Sequence, residues 1–294
     1  MIQFLKYKKI FYVFSATLVF LSVFSLAFFK LNLGIEFQGG SIMEIEYRNE
    51  RPSLQETREK ISQIDLGEFF IQPVNDKGYV IKTKKMSEEI YQELKASLGE
   101  DAEEKYFESI GPVIGQELKQ KSVISVLLAS LAIILYIAFT FVGIGNQTVK
   151  SWQYGVVAVG IGFLHDVLIV LGVFSVLGYF YGVQMTIPVA VALLTVLGYS
   201  INDTVVIFDR IRENLNKKVR SGFGSVVNDS LNETLGRSIN TSLTTLFVLF
   251  AILFLGGETL RWFVVALILG ISLGTYSSIF LAGPFLVSWF NLKK

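Results

Sequence analysis

The chain of 294 residues sets 26 Lys and Arg against 25 Asp and Glu, a formal net charge of +1, with one His and no Cys. The lack of Cys excludes a disulfide scaffold, a thiolate metal site and a cysteine nucleophile, and one His supplies no imidazole set for zinc. Side chains of the AVILMFWYC set make up 52%, but they gather in long uncharged runs, which excludes a soluble globular class.

The first run, 10–29, has the roughly 20 apolar residues that a transmembrane helix needs. It follows Lys6, Lys8 and Lys9, but it is too long for the apolar core of a secretory signal and no A-x-A site follows, so it reads as a retained anchor. GIEFQGG (34–40) comes next. Its Gly34, Gly39 and Gly40 read as a structural elbow where membrane helix becomes sheet. The spacing is not that of a phosphate loop, and the motif is not expected to open a helix.

Residues 30–121 hold 13 basic and 18 acidic side chains, net −5, which leaves +6 for the rest of the chain. SIMEIEY (41–47) alternates like a strand, and Ser53 with Glu56 forms a capping box ahead of a charged helix. FFIQPV (69–74) and GYVIKT (78–83) flank the turn NDKG as a hairpin. A second helix starts at Ser87 and runs to about Leu98, and KYFESIG (105–111) is the last strand. The order β-α-β-β-α-β predicts an α+β domain of the ferredoxin-like, split βαβ kind. It shows no metal cluster and no nucleophile with a base, so it reads as a folding module that touches a partner; fold alone does not give function.

Five further runs, about 122–142, 152–178, 186–209, 239–256 and 262–290, complete a polytopic α-helical membrane protein of six transmembrane helices. Twelve Lys and Arg, among them Lys150, Arg210, Lys217, Lys218, Arg220, Lys293 and Lys294, fall in segments on the N-terminal side, against Arg261 alone in the short loops opposite. The positive-inside rule then puts both termini in the cytoplasm and 30–121 outside. The expected parts are 1–29 (N-terminus and first helix), 30–121 (extracytoplasmic domain) and 122–294 (helices two to six). At about 210–237, Phe223, Val226, Val227, Leu231 and Leu235 recur at helical spacing, which predicts an amphipathic helix lying on the cytoplasmic interface, against membrane lipids or a channel. Its basic residues already serve topology, so no nucleic-acid partner is needed to explain them.

Ionisable groups inside spans carry the most information, since each is expensive to place there. Asp166 lies mid-span in GFLHDV, on a face with Gly162 and Gly155; His165 beside it points to a different face and reads as structural. Asp203 shares a face with Tyr199 and Thr195, about 10 Å along the helix from Arg210. Arg237 opens the fifth span, followed by Asn240, Thr241, Thr244 and Thr245. With Asn202, these predict a hydrated polar seam between the fourth and fifth spans, with the Arg237 guanidinium reaching Asp203. Asp166 is either a second proton site or a helix–helix hydrogen bond. Gly270-x-x-x-Gly274 in the sixth span is a packing face, with Thr275, Ser277 and Ser278 beside it.

GIEFQGG, IGPVIGQEL, LHDVLIVLGVFS, LGYSINDTVVIFDRIREN and GRSINTSLTT together resemble the SecF-type members of the SecD/SecF family of protein-export membrane proteins, over essentially the whole chain. Glu36 stands where that family more usually has Asp. The resemblance implies six helices forming half of an RND-type transporter in the bacterial plasma (inner) membrane, completed by a SecD-like subunit as a heterodimer. It implies work beside the SecYEG channel and SecA on exported unfolded polypeptide, driven by the proton or sodium gradient, with no enzymatic activity, cofactor or metal. By motif position Asp203 and Arg237 match the intramembrane acid and Arg thought to carry proton flow, and Asp166 matches the Asp of the third-span motif. Protonation of Asp203 would then release Arg237 and shift the helices. The competing readings are a non-coupling scaffold, a stand-alone RND-like exporter, and an intramembrane aspartyl protease using Asp166 and Asp203. Against the last, the run before Asp203 is GYSIND and not G-x-G-D.

Overall fold

The structure, a computed structural model, describes residues 1–67, 69–84, 86–141, 150–217 and 222–291, the side chains of 258 and 259 aside. Val142, at the expected end of the second span, and the basic Lys218, Arg220, Lys293 and Lys294 lie outside the described residues. The chain divides into two compact units, Met1–Asn32 with Ile124–Lys294, and Leu33–Val123.

Six helices are long and apolar enough to cross a membrane: Lys8–Phe29, Pro112–Thr140, Ser151–Tyr181, Ile187–Lys217, Phe223–Leu255 and Leu260–Asn291, spans one to six. Three extend well beyond the apolar runs. Span two starts at Pro112 because proline fits the first helical position and its polar opening turns, PVIGQELKQKS, are helical all the same. Span four runs on to Lys217 and span five already begins at Phe223, so the separate interfacial helix expected at about 210–237 is not formed. The physical reason is packing. Val226, Val227 and Leu231 are buried; Val227 and Leu231 lie against Gly283 of span six, and the Phe223 ring meets Phe290. Tertiary burial of the apolar face carries the helix through a polar stretch.

Small residues let the spans approach closely. A Cβ on Gly274 of span six would sit 2.8 Å from Ser200 Cβ of span four, and one on Gly172 of span three 2.5 Å from Ser22 Cβ of span one. Ser25 Oγ donates to Gly172 O at 3.0 Å, and Ser175 Oγ returns a bond to Ser25 O at 3.0 Å. The N-terminal segment is clasped by span five: Ile2 N–H donates to Asn232 Oδ1 at 2.8 Å, and Ile2 O accepts from Asn228 and Asn232 at 3.0 and 2.9 Å. Two spans are interrupted by π-helical turns, Gly162–Val167 in span three and Ser278–Ala282 in span six. Such bulges recur at functional sites.

In the second unit, β1 (Gly40–Tyr47), β2 (Phe69–Val74), β3 (Gly78–Thr83) and β4 (Ala102–Ile110) form one antiparallel sheet in the order β2-β3-β1-β4. Ile71, Ile81, Met43 and Phe107 stand side by side across it. Met43, Ile45, Ile81, Ile61, Leu94 and Leu98 belong to its core, the last three from the helices Leu54–Ile61 and Glu88–Leu98. The alternation seen in SIMEIEY is therefore the alternation of core and outer face. The capping box forms as expected, with Glu56 N–H on Ser53 Oγ and Ser53 N–H on Glu56 Oε2 at 2.9 Å. The last strand begins at Ala102, before the expected Lys105, because a shift in register against β1 at Glu44/Ile45 lets pairing continue past that point.

The glycine motif departs from expectation in two respects. Ile35–Gln38 makes one helical turn inside it. Gly34 has an ordinary φ of −69°, whereas Gly39 and Gly40 take φ of 80° and 143°, which only glycine adopts readily. A Cβ on Gly39 would also lie 2.7 Å from Pro112 Cα. The elbow thus needs Gly39 and Gly40 for backbone geometry.

Candidate functional site

Two polar clusters interrupt the apolar spans. The inner one centres on Asp166, which is 0% exposed. Its Oδ1 lies 2.7 Å from His165 Nδ1, and its Oδ2 accepts from Ser200 Oγ of span four at 2.5 Å and Ser277 Oγ of span six at 2.9 Å. Thr204 and Ser278 share a hydrogen bond at 2.8 Å, and Ser278 Oγ also donates to Ser200 O at 3.2 Å. Spans three, four and six are thereby knotted around one carboxylate, where the two π-helical turns come together.

The outer cluster lies between spans four and five. Asp203 is 6% exposed; Ser238 faces it from span five and Arg237 acts on it electrostatically. Asp203 Oδ2 and Ser238 Oγ are buried without a hydrogen-bond partner. One turn along, Tyr199 Oη bonds to Thr241 O at 3.1 Å and Thr245 Oγ1 at 3.2 Å. Thr275 of span six donates to Ser242 of span five at 2.6 Å. At the end nearest Arg210, that guanidinium holds Glu233 of span five at 2.6 Å and Glu213 at 2.5 Å.

The structure places Asp203 in the expected seam but does not bring Arg237 onto it. Among the described residues no ion pair joins the two, and Arg237 is exposed. Neighbouring helical side chains diverge by about 100°, and here Ser238 takes the inward direction. Asn202, Asn240, Thr241 and Thr244 lie on the exposed flank of the same seam; Thr241 and Thr244 bond back to carbonyls of their own helix. Asp166 and Asp203 share no hydrogen bond, since both oxygens of Asp166 are taken by His165, Ser200 and Ser277. That removes the proton-sharing pair an aspartyl protease needs. His165, expected on another face, is the partner of Asp166. Ser200, Ser238 and Tyr276 were not singled out from sequence; the signal available was their spacing of three or one from a singled-out Asp, Arg or Ser.

An unpartnered buried carboxylate oxygen is an unfavourable state, relieved by binding a proton or a small cation or by closing of a cation such as arginine. The outer cluster offers each of these routes.

Comparison with known proteins bears on which is used. The profile of the family described as "Protein export membrane protein SecD/SecF, C-terminal" matches residues 90–292, and that of the "SecD/SecF GG Motif" matches residues 24–50. The chain is 39% identical to the Protein translocase subunit SecF of Thermobaculum terrenum, over 99% of this chain and 95% of that one. It is 38% identical to that of Desulfurispirillum indicum, over 94% and 87%. Among solved structures it is similar to SecDF, a translocon-associated membrane protein from Thermus, with a TM-score of 0.83 and 34% identity. That match covers 99% of this chain and 39% of the solved one, so the chain spans well under half of the SecDF molecule.

Proposed function

The chain belongs to the SecD/SecF family of protein-export membrane proteins, an accessory subunit of Sec export, and from that premise we propose that it couples an ion gradient to late steps of polypeptide translocation through Asp203. The observation that carries the proposal is the Asp203 carboxylate, buried within a span with one oxygen unpartnered and flanked by the exposed Arg237. In its ionised state the carboxylate draws Arg237 inward. A proton or sodium ion arriving along the flank of Asn202, Asn240, Thr241 and Thr244 neutralises it and lets Arg237 stand off. Arg237 cannot discharge at any physiological pH, so Asp203 is the member of the couple that changes charge. Asp166 is the third member of the set. It acts through span four, because Ser200, which it holds, lies three residues before Asp203.

The six helices form one half of an RND-type transporter, and a SecD-like subunit forms the other half in a heterodimer; the likeness to part of a longer SecDF chain supports this. The SecYEG channel and SecA complete the assembly. We read the unit Leu33–Val123 as ferredoxin-like from its element and strand order, lying outside the plasma membrane with both termini inside. It touches the exported unfolded polypeptide and moves as spans four and five repack. The role is mechanical, without enzymatic chemistry.

Asp203→Asn in the assembled complex tests the proposal. Gradient-dependent export of a secretory protein into inverted vesicles is expected to fall about tenfold or more, a barrier change above about 1.4 kcal/mol. Export at the wild-type rate with the gradient intact would establish the non-coupling scaffold instead.

A further inference from the structure

His165 and Asp166 sit next to each other in the π-helical turn Gly162–Val167, and both are buried, at 5% and 0% exposure. Three donors converge on the Asp166 carboxyl: His165 Nδ1 at 2.7 Å, Ser200 Oγ at 2.5 Å and Ser277 Oγ at 2.9 Å. That set fits an ionised carboxylate, which only accepts. It fixes the imidazole proton on Nδ1 and leaves Nε2 as a bare acceptor. Nε2 is buried without a partner. The ring lies over Tyr276 of span six, centroids 5.9 Å apart and planes 29° from parallel, and the Tyr276 hydroxyl is held by Ser15 Oγ of span one at 3.1 Å.

We propose that His165 and Asp166 form a second proton-binding site within the spans, separate from Asp203, with Nε2 as the atom that takes the proton. A proton from water bonds to the Nε2 lone pair, no bond in the pair breaks, and the charge of the cluster goes from −1 to 0. The imidazolium so formed has a carboxylate at hydrogen-bond distance and an aromatic face beneath it, and both favour the charged ring. Among the described residues, the titratable groups facing it are Asp166 on its own turn and Tyr276 from span six. Span four contributes the Ser200 hydroxyl, and span one reaches it through Ser15 on Tyr276. Uptake strengthens the Nδ1···Oδ1 bond and weakens the hold of Asp166 on the two hydroxyls. Ser277 has a second acceptor ready in Gly274 O at 3.1 Å. The link from span three to the face of span four that carries Asp203 is thereby loosened. This mechanical consequence rests on the ion-coupling reading; the binding itself does not.

Because His165 is the chain's one histidine, 15N-histidine NMR of the full chain in lipid nanodiscs reads the site directly, the signal being the one lost in His165→Gln. The ring is expected to titrate in a single step between about pH 5 and 9. Asp166→Asn is expected to lower the midpoint by about one pH unit, a tenfold loss of proton affinity, and Asp203→Asn to leave the step in place. A ring that stays neutral in one tautomer across the range, or a midpoint unmoved by Asp166→Asn, overturns the proposal. Either failure leaves the Asp203 export test untouched, so the two readings fall separately.

Discussion

Arg237 and Ser238 are neighbours, yet they do different work: Ser238 is buried facing Asp203, while Arg237 stays at the exposed flank. Since no ion pair fixes the guanidinium to Asp203, its charge is what the site uses, and the two-pronged geometry peculiar to arginine is not engaged. Arg237→Lys is therefore expected to keep most gradient-dependent export and Arg237→Gln to lose it, as measured by translocation into inverted vesicles; equal loss in both would show that the fork geometry is needed. The two acids were legible in the sequence because an ionisable group within an apolar run is expensive enough to demand an explanation. Their partners were not. Serine is ordinary in membrane helices, where its hydroxyl bonds back to its own backbone, so only packing reveals that Ser200 and Ser277 turn to Asp166. The pairing of His165 with Asp166 was hidden by the assumption of a regular helix, in which consecutive side chains do not face one another; the π-helical turn changes that rule locally.

At the scale of elements, the strands, the capping box and the hairpin follow from local pattern and appear nearly where that pattern puts them, whereas span ends do not. Hydropathy reports where a helix is apolar, and the heads of spans two and five are helical while polar. Gly274 shows what holds spans four and six together. Gly274→Val would drive a side chain into Ser200 and is expected to lower the thermal unfolding midpoint in detergent, overpacking of this kind costing about 1–3 kcal/mol. Gly198→Ala, where nothing lies within 4 Å, is the matched control and is expected to leave the midpoint level or higher. In the sheet unit, the backbone N–H of Ser53 on Glu56 holds that carboxyl below its ordinary value of 4.5. A depressed folded value means that the capping bond stabilises the helix above the unfolded value and that this is lost as pH falls through the folded one. Hydrogen exchange at Leu54–Ile61 is thus expected to quicken below about pH 4.5 relative to the rest of the unit, once corrected for the intrinsic rate; in Ser53→Ala, which removes about 1 kcal/mol of capping, it is expected to be faster already at neutral pH.

For the whole molecule, six spans and an inserted sheet were readable from the sequence, since length and hydropathy decide both. Which span packs on which was not, because Gly172 against Ser22 and Gly274 against Ser200 are matches of shape between distant stretches. The charge bias supports the proposed orientation, and a chain without cysteine makes it simple to check. In intact cells stripped of their outer barrier, Asp76→Cys is expected to react with an impermeant maleimide and Lys217→Cys only after lysis; the reverse pattern would invert the topology. The clasp of Asn228 and Asn232 on Ile2 adds a dimension of time. Its partners are 226 residues apart, and at about 5–20 residues per second of synthesis the early end of the chain waits roughly 10–45 s for the helix that receives it. The first-made segment is among the last to be fastened, so completion of span five marks the moment when a newly inserted chain can lock its own beginning into place.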